Sequence, residues 1–122
     1  MKIALAATLL LSCASASAQN WVSTLKNGPA ERFDEQDLRM FLDAGRKALN
    51  EAADNETVKW QNPDTKHGGE LTVVRRFEWQ KKPCKEVRIV NQADGRKADS
   101  TVNACQVDGK WRLLSSQQLK KK

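Results

Sequence analysis

Apolar positions recur along this chain at two different periods. From Asp34 onward, Leu38, Phe41, Leu42, Gly45, Ala48, Leu49 and Ala52 return at three- and four-residue intervals, the spacing of one apolar stripe on an α-helix. Asp34 suits the N-cap, and Glu35 and Asp37 fall where the positive end of the helix dipole favours acids. The pattern predicts a helix over 35–53, ending before Asp54-Asn55. After residue 56 the side chains become β-branched and aromatic and the period shortens to two, as in strands. Val58 and Trp60 alternate until Asn62-Pro63 breaks the run. Leu71, Val73, Phe77 and Trp79 predict one apolar face of a second strand, with Arg75 marking a bulge or a polar edge. Pro83 precedes a third strand carrying Val87 and Ile89. Asp94-Gly95 and Asp108-Gly109 are strong hairpin signals, and they set antiparallel strands near 84–93, 96–107 and 110–115.

The first of these turns also fixes a register. A two-residue loop at Asp94-Gly95 pairs 93 with 96 and, counting outward, 84 with 105. That places Cys84 opposite Cys105 in a non-hydrogen-bonded pair, where Cα atoms approach to about 4.5 Å, a separation a disulfide accepts. Val87 then faces Val102 on the other side of the sheet, joined by Ala104, Trp111 and Leu113, and this apolar face is the natural partner of the helix stripe. The disulfide falls on the more polar face, beside Glu86, Arg88, Asn103 and Arg112, unless a bulge near Pro83-Cys84 turns it inward. A cross-link over about twenty residues contributes on the order of 3 kcal/mol. The expected architecture is α+β: one N-terminal helix on an antiparallel meander sheet of about five strands, with one disulfide.

The chain begins with a leader pattern. Met1-Lys2 precedes the apolar run Ile3 to Leu11, and Ala16-Ser17-Ala18 supplies a cleavage-site spacing, so 1–18 reads as a secretory signal peptide. A competing reading takes Leu10-Leu11-Ser12-Cys13 as a lipobox with Cys13 acylated, which would tether the domain to a membrane; cleavage after Ala18 is favoured. Of three cysteines, the leader holds Cys13 and the mature chain keeps Cys84 and Cys105, a pair expected to bond in an oxidising compartment. Residues 19–32 form an irregular lead-in, 33–115 the domain, and 116–122 a basic flexible tail. With 122 residues, 39% hydrophobic and 30% charged, there is room for one soluble domain and none for a large multidomain enzyme.

These residues together resemble the bacterial seventeen-kilodalton outer-membrane surface antigen family over roughly 42–115. The resemblance rests on Trp60-Gln61-Asn62-Pro63 with Thr65 and Gly69, Cys84 with a basic residue after it, Ala104-Cys105, and Asp108-Gly109-Lys110-Trp111. It implies a non-enzymatic bacterial envelope protein, in the periplasm or at the outer membrane or cell surface of a Gram-negative cell. Lys66 stands where the family usually has glycine, and Gln106 where arginine commonly follows the second cysteine. The six glycines form no glycine-zipper run ahead of the domain, which shifts the expectation towards periplasmic residence.

Candidate chemistry is sparse. His67 is the sole histidine, and without a nucleophile elbow or a free thiol beside it, it reads as a surface-loop residue rather than a base or zinc ligand. Asp34, Glu35 and Asp37 read as first-turn helix acids, not as a catalytic or metal cluster. No catalytic residue, metal or cofactor is expected. Trp60, Trp79 and Trp111 read as core, and Trp21 as either a contact residue or a lid on the helix.

Charge is unevenly placed: 19–56 hold 5 basic and 8 acidic residues, whereas 57–122 hold 15 and 7. Arg75, Arg76, Lys81, Lys82, Lys85, Arg88, Arg96 and Lys97 could line one surface, and the first six are the candidate contacts for an anionic ligand. The simpler reading is a solubilising face with edge lysines that prevent sheet pairing; the alternative is electrostatic binding of an anionic envelope polymer or acidic protein. The leader argues against nucleic acid. The expected function is a binding or structural module of the cell envelope, with membrane association only if Cys13 is lipidated; a small secreted hydrolase is the alternative of another class.

Overall fold

A helix can start at Asp34 because its side chain and that of Asp37 close a reciprocal cap. Asp34 Oδ1 accepts from the Asp37 amide at 2.8 Å, and Asp37 Oδ2 accepts from the Asp34 amide at 3.0 Å, which satisfies two donors that a helix start leaves free. The computed structural model describes residues 28–115 and 118–119. The expected leader, Cys13, Trp21 and the lysines at 120–122 lie outside the described residues. A 3-10 turn, Pro29–Arg32, leads into α1, Glu35–Glu51, followed by β1, Thr57–Gln61, β2, Gly68–Trp79, β3, Lys82–Ala93, β4, Arg96–Val107, and β5, Lys110–Leu114. The five strands form one antiparallel meander in chain order.

The helix stripe packs as its period requires. Phe41, Ala44, Ala48 and Leu49 are buried against Leu71, Val73, Val87, Ile89, Val102 and Ala104, with Leu38, Leu42, Trp111 and Leu113 at the margin. At the far end of α1 no basic residue lies in the last turn. Lys85 of β3 serves instead: its Nζ donates to Ala48 O at 3.2 Å and Ala52 O at 2.7 Å, satisfying carbonyls that the helix end leaves open.

The Asp94-Gly95 hairpin has the expected register, with Cys84 opposite Cys105 and the two bonded. Their Cα atoms are 4.0 Å apart. The disulfide lies on the face opposite Val87 and Val102, in the row Phe77, Cys84, Cys105, Arg112. Although α1 does not cover that face, both cysteines are buried.

Strand β2 departs from expectation. Val73 pairs with Val87, but Arg75 pairs with Glu86, so Val74 is an extra, bulged residue. A side-chain period of two flips faces at such a point. Leu71 and Val73 point to the helix side, whereas Phe77 and Trp79 share the opposite face with the disulfide. Trp79 is therefore not core; it is half-buried beside Lys82, whose Nζ is 5.8 Å from its ring centroid. Trp60 is buried, and Trp111 packs on the core margin while its Nε1 donates to Asn50 Oδ1.

Candidate functional site

The densest polar constellation surrounds Asp37, a fully buried carboxylate in the first turn of α1. The segment after β1 reaches it because Asn62-Pro63-Asp64-Thr65-Lys66-His67 folds back on itself. Asn62 N donates to His67 O at 2.9 Å, Lys66 N to Asn62 O at 2.8 Å, Asp64 N to Asn62 Oδ1 at 3.0 Å and His67 N to Thr65 Oγ1 at 3.1 Å. Lys66 takes a φ of 63°, in the left-handed region that glycine adopts most readily. That conformation accounts for the glycine the family resemblance leads one to expect there.

Three side chains of this loop converge on the helix. Asn62 Nδ2 and Thr65 Oγ1 donate to Asp37 Oδ1 at 2.8 and 2.7 Å, and His67 Nδ1 lies 2.8 Å from Asp37 Oδ2. His67 Nε2 lies 3.0 Å from Asp94 Oδ1 in the β3–β4 turn. Burial alone would push the Asp37 carboxyl up, but the bonds from Thr65, the Asp34 amide, His67 and Asn62 outweigh it and hold it down at about 2. The bonds to Asp94 and Asp37 raise the imidazole above its usual 6.5 against the opposing effect of burial. Lying between two carboxylates favours the doubly protonated imidazole, a donor at both nitrogens. The loop, the helix start and the hairpin tip are thereby tied at one point.

Gly69 completes the arrangement. It sits between Trp60 and Asn91 in the cross-strand register, and a Cβ there would lie 2.5 Å from both Val90 O and Asn91 Oδ1 and 3.0 Å from Trp60 Nε1. Only a glycine lets the indole and the carboxamide close over the strand. The indole in turn stands edge-on to Phe33, with ring centroids 5.1 Å apart.

Two sequence expectations are corrected here. His67 is not a surface-loop residue; it is 8% exposed and engaged at both nitrogens. Asp37 is more than a first-turn acid, since it anchors a loop 25 to 30 residues further on. The constellation does not suit general-base catalysis, which needs a free lone pair facing a substrate; neither ring nitrogen offers one. Among the described residues no group of three or more His, Cys, Asp or Glu side chains could hold a metal ion.

The candidate cations do not line one surface. The alternation of β2 and β3 puts Arg75, Lys82 and Arg88 on the disulfide face and Arg76 and Lys85 on the helix side. Arg75 bonds Glu86 at 3.1 Å, Arg76 bonds Asp54 at 3.0 Å, and Arg88 forks onto Asp99. Lys81 is exposed in the β2–β3 turn at a φ of 62°. Lys85 points inward to the helix carbonyls and leaves the set of anion contacts; burial, followed by repulsion from Arg76, lowers its pKa.

With this geometry established, similarity to known proteins is informative. The family described as 17 kDa outer membrane surface antigen matches residues 47–112, which include Asn62, Thr65, His67 and Asp94 but not Asp37. The chain is similar to the 17 kDa surface antigen of Rickettsia prowazekii, 29% identical over 84 residues that cover 67% of this chain and 53% of that protein. It is also similar to the 17 kDa surface antigen of Rickettsia conorii, 30% identical over 85 residues and covering 68% and 54%. A further relative in Rickettsia bellii is 27% identical over 85 residues. The chain spans about half the length of the curated relatives it matches. No solved structure matches it.

Proposed function

The chain belongs to the 17 kDa outer membrane surface antigen family, and from that premise we propose that it is an exported, non-enzymatic module that binds or braces another component of the cell envelope. The observation that carries this reading is the Cys84–Cys105 bond, because a structural disulfide persists outside the reducing cytosol. The occupation of both His67 nitrogens supports a non-enzymatic role. The partner in this reading is an envelope protein or anionic polymer, met in the periplasm or at the outer membrane. The disulfide face supplies the contact surface: Phe77 and Trp79 lie there half-buried, with Arg75 4.5 Å and Lys82 5.8 Å from the respective ring centroids. Aromatic rings interleaved with cations are enriched at binding surfaces.

Two measurements test this reading together. Alkylation of the protein taken directly from cells, followed by mass analysis, should find Cys84 and Cys105 blocked. A photo-crosslinker at Thr101 on the disulfide face should capture an envelope component in intact cells, while the same group at Asp43 on the exposed side of α1 should not. Free thiols, a cytosolic location, or equal capture from both positions would overturn it.

A further inference from the structure

We propose that Asp37, His67 and Asp94 form a proton-operated latch, in which loss of the Nε2 proton of His67 frees the Asp94 side chain and loosens the tip of the β3–β4 hairpin. The two carboxylates that flank the imidazole are unequal partners. Asp37 is fully buried and receives bonds from Asn62, Thr65 and the Asp34 amide as well as from His67. Asp94 has a side chain 55% exposed, tied to the loop through His67 Nε2. A neutral imidazole keeps one N–H. If that proton stays on Nδ1 it preserves the buried bond, and the Nε2 lone pair then faces a carboxylate oxygen across 3.0 Å. The two would repel, and only Asp94 has water to turn to. In the step, hydroxide takes the Nε2 proton and becomes water, while the imidazolium becomes the neutral Nδ1–H tautomer.

The surroundings confine the motion. The groups that contact the imidazole are Asp37 from α1 and Asp94 from the turn and the uncharged ring of Phe33 with its centroid 6.2 Å away, while Asp64 and Lys66 are the charged neighbours within the loop sequence. Gln92 Nε2 donates to Lys66 O at 2.8 Å, so the end of β3 stays tied to the loop and only Asp94-Gly95 is released. Both turn residues hold positive φ, 52° and 77°, as a tight hairpin turn requires. The latch is closed while the imidazole is protonated and opens as pH rises through its raised pKa, which follows from a group whose protonated form is the one the fold binds. It is independent of the partner proposed above.

Because the chain has one histidine, its imidazole can be followed without ambiguity by nitrogen–proton NMR of the full folded domain. The imidazole should titrate above 6.5 and emerge as the Nδ1–H tautomer. Exchange of the Arg96 amide, in the pair with Ala93 that closes the turn, should accelerate with the same midpoint, by roughly tenfold beyond the ordinary base-catalysed rise. Asp94→Asn keeps a residue that favours this turn, and its Nδ2 can donate to an unprotonated Nε2. In that variant the imidazole midpoint should fall, because the Asp94 bond is the largest cause of its rise, while the turn stays closed throughout. An Nε2–H tautomer, a turn midpoint unrelated to that of the ring, or an Asp94→Asn variant that titrates like the wild type would each overturn the latch.

Discussion

Replacing Asp37 by asparagine conserves shape and removes charge, so it isolates the contribution of the carboxylate to the junction between loop and helix. Each Asp37 oxygen accepts two bonds, Oδ1 from Asn62 and Thr65 and Oδ2 from the Asp34 amide and His67. An amide has one oxygen. Its least costly orientation keeps that oxygen towards Asn62 and Thr65 and turns the NH2 towards His67, which then shifts to its Nε2–H tautomer. The Asp34 amide is left without its acceptor, at a cost of about 1–3 kcal/mol, and the two remaining bonds to Oδ1 lose their charge assistance, for roughly 2–5 kcal/mol in all. The lowered pKa of Asp37 gives a second figure. The Asp37 pKa is lowered from 3.8 to about 2, which corresponds to about 2 kcal/mol at 1.36 kcal/mol per unit. A depressed carboxylate stabilises the fold above its unfolded value and loses that contribution as pH falls through the folded value. Urea unfolding of wild type and Asp37→Asn at pH 7, and again at intervals down to pH about 2, should therefore show a gap at neutrality that narrows on acidification. A neutral-pH difference under about 0.5 kcal/mol, or parallel acid slopes, would refute the assignment of Asp37 as the anchor, since such values are typical of surface substitutions.

Two further predictions concern the core supports. Gly69→Ala should destabilise the domain by about 1–3 kcal/mol, the usual cost of overpacking, because the added carbon meets the backbone oxygen of Val90 at 2.5 Å; an unchanged denaturation midpoint would contradict the close approach. Lys85→Met retains the stem but withdraws the donor from Ala48 O and Ala52 O, and should cost about 1–2 kcal/mol with amide exchange accelerating in the last turn of α1. Equal or greater stability in that variant would mean the carbonyls find water instead.

Local pattern carried most of the architecture. The α1 cap at Asp34, the turn at Asp94-Gly95 and the pairing of Cys84 with Cys105 each follow from residues whose geometry is set within a few positions, and the structure has all three. The polar junction was illegible for the opposite reason. His67 meets partners 30 and 27 residues away, and each partner already had a sufficient local explanation, Asp37 as a helix acid and Asp94 as a turn residue. A signal was nevertheless present: Asn62, Thr65 and His67 crowd into six residues after a strand, too many short polar side chains for a simple connection. Lys85 is a different case: strand alternation alone puts it beside Val87 on the apolar face, whereas its charge points to exposure.

The bulge at Val74 makes β2 a strand of two phases. Ironing the bulge flat with all its residues kept would restore strict alternation, and every side chain from Arg75 onward would trade sides. Phe77 and Trp79 would be driven beneath the sheet towards Lys85 and Ala104, and Arg76 would part from Asp54. The side chain at 74 is itself 37% exposed, so its identity matters little to the core. Chains sharing this architecture should therefore vary freely in what occupies that position, and one that lacks it should keep the residues equivalent to Phe77 and Trp79 on the disulfide face.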